Sequence, residues 1–347
     1  MAITAYTTNA GRVNEIKGEI LAHAQPIEVL AYGCKMVQMP TNMGDNVSYR
    51  RFIPYGATTT NANTINRPVV TAAAHITQEG VTPTADQLVE QDINVVQQRY
   101  ACVYSYTEKV AILHEDDIPE QMRIQTGERM ALVGEKVRFG VMKAITSVQY
   151  AGGTTRGTVD EAISINQIRL ATRTLKANHA KMKTKILAPS PNYDTYAVEA
   201  SYVCFVHTDA EADIRDLAGF IPVAKYGNRS PISPHEIGSC ESVRFILSPE
   251  LSSYADTGAS ITGTGLYSTT GTSADVYPFI ICGEDCVYDV ALRGHNSFDV
   301  WHLPWNKREK ADVGAQRGYV GAEFYQAVVV VNNGWGIVIE AGISALT

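Results

Sequence analysis

Residues 56–87, GATTTNANTINRPVVTAAAHITQEGVTPTADQ, restrict what the chain can become. The stretch is rich in Thr, Asn and Ala and poor in large apolar side chains, so it cannot bury much of itself. A connection of this length is uncommon inside a compact domain, and where it occurs it usually serves a contact. The flanking segments NVSYRRFIPY (46–55) and INVVQQRYACVYSYTEKV (93–110) alternate apolar and polar residues in the manner of strands. The pattern therefore predicts a long extended excursion between two returning strands, covered by another molecule rather than by its own chain.

Ahead of it, residues 1–20 are polar with a weak helical pattern, expected as an arm, and IEVLAYGCKMVQM (27–39) is an apolar segment ending at Pro40. Behind it comes the clearest period. Met130, Val133, Val137, Val141, Ala144 and Val148 step by three and four residues, one stripe of a helix. Pro119 suits its first turn after the acids Glu115, Asp116 and Asp117, and Ala151–Gly153 marks its end. The expectation is a helix of about thirty residues, roughly 45 Å at 1.5 Å per residue, a spine on which other elements pack.

From 159 to 300 short helices and strands alternate. SINQIRLATRTLKAN (164–178) and AEADIRDLAGF (210–220) read as helices, and SYVCFVHT (201–208), CESVRFILS (240–248) and VYPFIICG (276–283) as buried strands. Residues 254–277 are small and polar, a loose surface insertion. The end is β-rich, with NSFDVWHLPW (296–305) and then FYQAVVVVNNGWGIVIEAGI (324–343), expected as a hairpin turning on Asn332-Asn333-Gly334.

Composition narrows the function. At 347 residues the chain is long enough for two lobes, and 45% apolar with 19% charged residues describes an ordered globular protein. A net charge of −7 argues against a surface built to grip phosphates, though not against one that encloses nucleic acid. No cationic, apolar leader opens the chain, so export is not expected, and the apolar run 327–331 is far too short to span a bilayer. The six scattered cysteines, mostly inside apolar stretches, are expected to be buried thiols.

Each chemical motif has a structural alternative. VHTDAEADIRD (206–216) starts with calcium-loop spacing at Asp209, Glu211 and Asp213, but Ile214 and Phe220 stand where that loop needs Gly and Glu. A helix start fits instead, with Thr208 as N-cap, Glu211 reaching back and Arg215 as partner of Glu211. CGEDC (282–286) with His295 and His302 suggests zinc, but the histidines are too widely spaced and sit in an apparent strand. Gly258–Gly263 has the glycine spacing of a phosphate loop, with Thr264 in place of the lysine. GAQRGYVG (314–321) leads into a strand, unlike a dinucleotide fingerprint. The runs YRR (49–51) and KREK (307–310) are too short for a nucleic-acid stripe. No catalytic residue, cofactor site or metal site is expected. An arm, an excursion and a lone spine helix cost conformational entropy that they do not recover by burying themselves, which points to an assembly subunit.

Specific blocks then resemble a known family. GDNVSYRRFIPYG (44–56), ITQEGVTPT (76–84), VQQRYACVYSYTEKVAILHEDD (96–117), FVHTDAEADIRD (205–216), EIGSCESVRFI (236–246) and AQRGYVGAEF (315–324) are similar to the HK97-type major capsid proteins of tailed bacteriophages, in their N4-like branch. Two departures stand out: His235 and Ala315 occupy positions where that family often has Gly. The resemblance covers most of 27–345 and implies an α+β capsid fold in five parts. These are an N-terminal arm and lead-in (1–43), an extended loop (44–107), a peripheral domain with the spine helix (108–155), an axial domain (156–300) and closing strands of the peripheral domain (301–347). It implies self-assembly into hexamers and pentamers of an icosahedral head enclosing double-stranded DNA, in the virion, after assembly in the host cytoplasm. Portal, scaffold and decoration proteins would be its partners, and Arg50, Arg51, Glu79 and Arg99 its inter-subunit polar contacts. An encapsulin-like cellular shell is the alternative on the same fold, and a soluble hydrolase with a site in 156–300 the alternative from another class.

Overall fold

The computed structural model describes residues 28–346 except 43, 58, 62–63, 84, 116, 189–194, 228–230, 295–298, 307 and 309–312. The expected arm over residues 1–20, Asp116, His295 and most of KREK lie outside the described residues.

A turn at Leu30–Tyr32 leads into β1 (Cys34–Met39), then β2 (Asn46–Phe52), a small hairpin of β3 (Thr59–Asn61) and β4 (Thr64–Ile65), and β5 (Glu90–Val96). β2 and β5 pair antiparallel from Asn46–Val96 to Phe52–Glu90, so the excursion does leave and return between two strands. Next come β6 (Gln98–Thr107), α1 (Glu108–Leu113) and α2 (Ile118–Met142). Then follow β7 (Val148–Tyr150), α3 (Ile165–Ala177), β8 (Tyr202–Val206), α4 (Glu211–Arg215), β9 (Ile221–Pro222), β10 (Glu236–Cys240) and β11 (Val243–Leu247). The chain closes with β12 (Tyr277–Cys282), β13 (Val287–Leu292), β14 (Asp299–Leu303), β15 (Arg317–Val330) and β16 (Gly336–Ala341).

Two sheets organise these elements. In the seven-stranded sheet, β7-β16-β12-β8-β11-β10-β9, the strands β8, β11, β12 and β16 are buried along their whole length. Helices cover both faces, as continuous apolar strands require. Ile168, Ala171 and Leu175 of α3 and Ile214 of α4 pack on the face that carries Cys204, Phe245 and Phe279. Phe139 and Met142 of α2 pack on the opposite face with Val203, Phe205, Ile246 and Ile280. The five-stranded sheet runs β1-β13-β15-β14, with β6 also pairing along β15. The N-terminal half of α2 lies on it, setting Met130 against Cys102, Ala322 and Phe324, and Met122 against Tyr106 and Val320.

Three expectations change. The spine helix exists but has 25 residues, about 37 Å at 1.5 Å per residue, capped by Asp117 and finished at Met142. Its buried residues are Met122, Thr126, Met130 and Gly134 on one side and Ala131, Glu135, Phe139 and Met142 on another, while Val133, Val137 and Val141 are half-buried on the side of Met130 and Ala144 is exposed beyond the end. A helix wedged between two sheets has no single apolar stripe to display. The segment 324–343 is no hairpin: β15 pairs with β6, β13 and β14, whereas β16 pairs with β12 and β7. The turn at 331–335 moves the chain from one sheet to the other. Residues 301–347 therefore serve both sheets, and β13, inside 156–300, belongs to the sheet of β15.

The glycines of GAQRGYVG answer to packing. A Cβ on Gly318 would lie 2.2 Å from the buried Tyr106 ring, and one on Gly321 would lie 2.5 Å from Trp301. Ala315 adopts φ +51°, the left-handed region that disfavours a Cβ, which explains why glycine suits that position. Ala315→Gly should leave the fold intact and raise stability by up to about 1 kcal/mol, checked by chemical denaturation.

At the centre of α2, Glu135 is fully buried, and one carboxylate oxygen accepts from the backbone N–H of Val29 and Leu30 at 2.9 and 3.0 Å. Arg138 Nε donates to Asp289 of β13 at 2.7 Å, and its Nη1 lies 3.7 Å from Glu135 and 3.8 Å from Glu28. Burial raises the Glu135 carboxyl above the ordinary range, opposed by the two backbone donors and by Arg138. The folded state thus holds the Glu135 proton more tightly than the unfolded chain does. Stability is complete below the ordinary glutamate pKa and falls as pH rises through the raised one. Glu135→Gln should flatten that decline, seen as a shrinking difference in Tm between acidic and neutral pH.

Candidate assembly surface

The ribbon of β2 and β5 has two faces. Val47, Tyr49 and Val95 turn inward onto Met39, Val290 and Ala327, with the Tyr49 ring edge-on to Tyr288 at 5.8 Å. The outer face pairs Ser48 with Asn94 and Arg50 with Asp92 at 2.9 and 3.1 Å, with Glu90 3.4 Å from Arg50. Each member of the Arg50–Asp92 pair favours the other's charge, raising the guanidinium and lowering the carboxyl, but both are open to water and add little stability.

Arg51 points the other way. Its Nη1 donates to Val331 O at 2.6 Å and its Nε and Nη2 to Gln91 at 3.2 and 2.9 Å, while burial lowers its pKa. Arg99, on β6, pairs across the ladder with Glu323 of β15. Glu79 stands apart in an exposed turn with Gly80 at φ +78°, and forms no ion pair with a described residue. The four sequence candidates are thus not brought together: three are engaged within the chain, and Glu79 is carried outward.

The excursion itself divides in two. Ile53 N donates to Val89 O and Val69 N to Gly56 O, closing a loop over 56–69. That loop is held down by Asn332, whose amide accepts from Ile65 N at 3.0 Å and donates to Ile65 O at 3.4 Å. The same Asn332 oxygen caps Gly334 N at 3.0 Å, so one buried side chain anchors the excursion to the turn that joins the sheets. Asn178, from the end of α3, reaches that turn through Gly334 O. Beyond the anchor, every described residue from 67 to 90 is exposed, including Val69, Val70, Ile76, Val81, Leu88 and Val89. A monomer seldom leaves so continuous an apolar-bearing segment to water.

A second bare apolar spot lies on α1. Val110 is buried, while Ile112 and Leu113 are exposed beside a groove of about 630 Å³ between the helix and Gln316–Arg317. Sequence reading missed both this spot and the Asn332 anchor, since α1 is too short to show a period and one Asn among several gives no signal.

The acid-rich stretch 206–216 is a helix start, as expected, with a different cap. His207 Nδ1, rather than Thr208, accepts from Asp209 N at 3.1 Å, because a single 3-10 turn at Thr208–Ala210 shifts the cap back one residue. Arg215 and Glu211 pair at 2.7 Å, while Asp209 accepts from Tyr277 Oη and Asp213 from Ser344 N, so these acids tie the helix to neighbouring chain segments. All six cysteines are buried and free of disulfides, and burial pushes Cys240 up to about 11. Among the described residues no cluster of three His, Cys, Asp or Glu could hold a metal, and no helix is long and apolar enough to cross a membrane.

No protein-family model matches the chain, and no curated protein matches it. Solved structures do. The capsid of Ralstonia phage GP4 matches with a TM-score of 0.66 and 12% identity over 99% of each chain. The asymmetric unit of the cyanophage Pam1 capsid matches with a TM-score of 0.63 and 12% identity over the whole of both chains. The capsid of a native GTA particle matches with a TM-score of 0.56 and 8% identity, over 97% of this chain and 98% of that one. At such identities the likeness is one of fold, and the mixed α+β fold of this chain is that of phage capsid proteins along its full length.

Asn332→Ala should cost about 1–3 kcal/mol, because it strands buried backbone groups at Ile65 and Gly334. Limited proteolysis should then cut within 56–66 faster than in the wild type.

Proposed function

We propose that this chain is the major capsid protein of a tailed phage, a structural subunit that self-assembles into hexamers and pentamers of an icosahedral head around double-stranded DNA. The observation that carries the reading is the uncovered segment 67–90 on a fold that corresponds end to end to phage capsid proteins. A chain that leaves this much apolar side chain bare, while the central strands of its seven-stranded sheet are buried, is built to be completed by copies of itself.

In this reading 44–107 is the extended loop of an HK97-type subunit, 108–155 the peripheral domain with the spine helix, 156–300 apart from β13 the axial domain, and 301–347 the closing strands of the peripheral domain apart from β16, which joins the seven-stranded sheet. The blocks quoted from the sequence favour the N4-like branch. Arg50 and Arg99 keep more than half of their side chains exposed, so each can meet a neighbour while holding its own partner. Glu79 is the polar contact of the projecting segment. Portal, scaffold and decoration proteins would join such a shell. A net charge of −7 suits a container whose wall should not adhere to the packaged duplex.

Electron microscopy of the purified protein should show capsomers or closed shells, and a monomer under all assembly conditions would sink the reading. Removal of residues 70–88, which spares the Asn332 anchor, should abolish closed shells while leaving the Tm within a few degrees of wild type. Normal particles from that variant would refute the role given to the segment.

A further inference from the structure

The groove on α1 and the projecting segment carry matching features. Glu108 N donates to Gln316 O at 2.9 Å, tying the helix to the entry of β15. With its inner side held by buried Val110, α1 presents Ile112 and Leu113 outward at 56% and 58% exposure. The groove they border is about 630 Å³, within the range of roughly 300–1,000 Å³ that binding clefts occupy. Lys109 and Arg317 line it with positive charge against one acid, Glu108, and both cations also make contacts within the chain.

The turn at 76–81 is the complement. Ile76 and Val81 are 76% and 60% exposed, and Glu79 lies between them. At that exposure the turn does not occupy the groove of its own chain. Resting on the assembly reading above, we infer that the groove of one copy receives residues 76–81 of a second copy. Ile76 and Val81 cover Ile112 and Leu113, and Glu79 faces Lys109 and Arg317. The contact joins two different patches of the same chain, so repetition of it generates a ring when the rotation closes. The apolar pair supplies the attraction, and the charges set register and exclude shifted dockings.

The test uses the full chain. In assemblies mixed from unlabelled and ¹⁵N-labelled protein, a zero-length carbodiimide reagent should join Glu79 of one copy to Lys109 of another, identified by mass spectrometry. Ile112→Ser with Leu113→Ser, at exposed positions that leave folding intact by circular dichroism, should lower the assembled fraction at least tenfold. Glu79→Lys should also impair assembly, and adding Lys109→Glu should recover at least half of the wild-type yield. Wild-type shell yields from the double serine variant would overturn the inference, as would a charge-reversed pair that assembles no better than Glu79→Lys alone. Failure of the wild type to form any shell counts against the assembly reading itself, whereas intact wild-type shells with either of those variant results count against the groove alone.

Discussion

Both sheets of this fold lean on α2. The helix is wedged so that its first half packs on the sheet of β15 and β6 and its last turn on the seven-stranded sheet. Its centre is polar, with Glu135 gripping the backbone of Val29 and Leu30, Arg138 gripping Asp289, and Gln326 of β15 donating to the same aspartate at 3.0 Å. A buried ion pair is weak evidence for net stability, since desolvation offsets much of the attraction. Removing one member strands the other, however, so the cluster permits one register among the entry segment, the helix, β13 and β15. An apolar seam at this place would tolerate sliding along the helix axis.

The crossing from β15 to β16 is the second fixed point. Five residues there carry the chain between sheets, and Asn332 and Asn333 satisfy backbone groups that a hairpin would have satisfied by pairing. Asn333 Oδ1 accepts from Thr146 N at 3.1 Å, just past the end of α2, and Asn332 holds Ile65 of the excursion. The junction of the sheets, the end of the spine and the root of the projecting segment are therefore mechanically one place.

Much of the architecture was legible from local pattern. The strands of the core announce themselves as largely apolar runs, because burial on both faces leaves few polar positions (Arg244 and Glu340 are the charged exceptions in β11 and β16), and α3 shows a clean amphipathic period with its Ser164–Gln167 capping box. The spine helix was legible in place and not in face. Its stripe misled because two different surfaces cover it, and because two residues buried along it are polar: Thr126 donates to Met122 O one turn back, and Glu135 accepts from backbone groups more than a hundred residues away in sequence. The hairpin reading failed for a related reason. Two apolar strands around an Asn-Asn-Gly turn carry the local signature of a hairpin, and nothing local says that each finds better partners in another sheet.

The candidate contact surface divides along the same line. Thr/Asn/Ala-rich composition by itself determined that 56–87 could not form a core, because it lacks the apolar area to offset the entropy of ordering. Blocks spread along the chain likewise pointed to the capsid fold before any coordinates. Only the tertiary structure decided that residues 56–66 are tied down through Asn332 while 67–90 stay bare, and that Arg50, Arg51 and Arg99 are engaged inside the chain. Whether a charge is spent internally depends on what the fold brings beside it. Glu323 is 224 residues from Arg99, and no local pattern carries that distance.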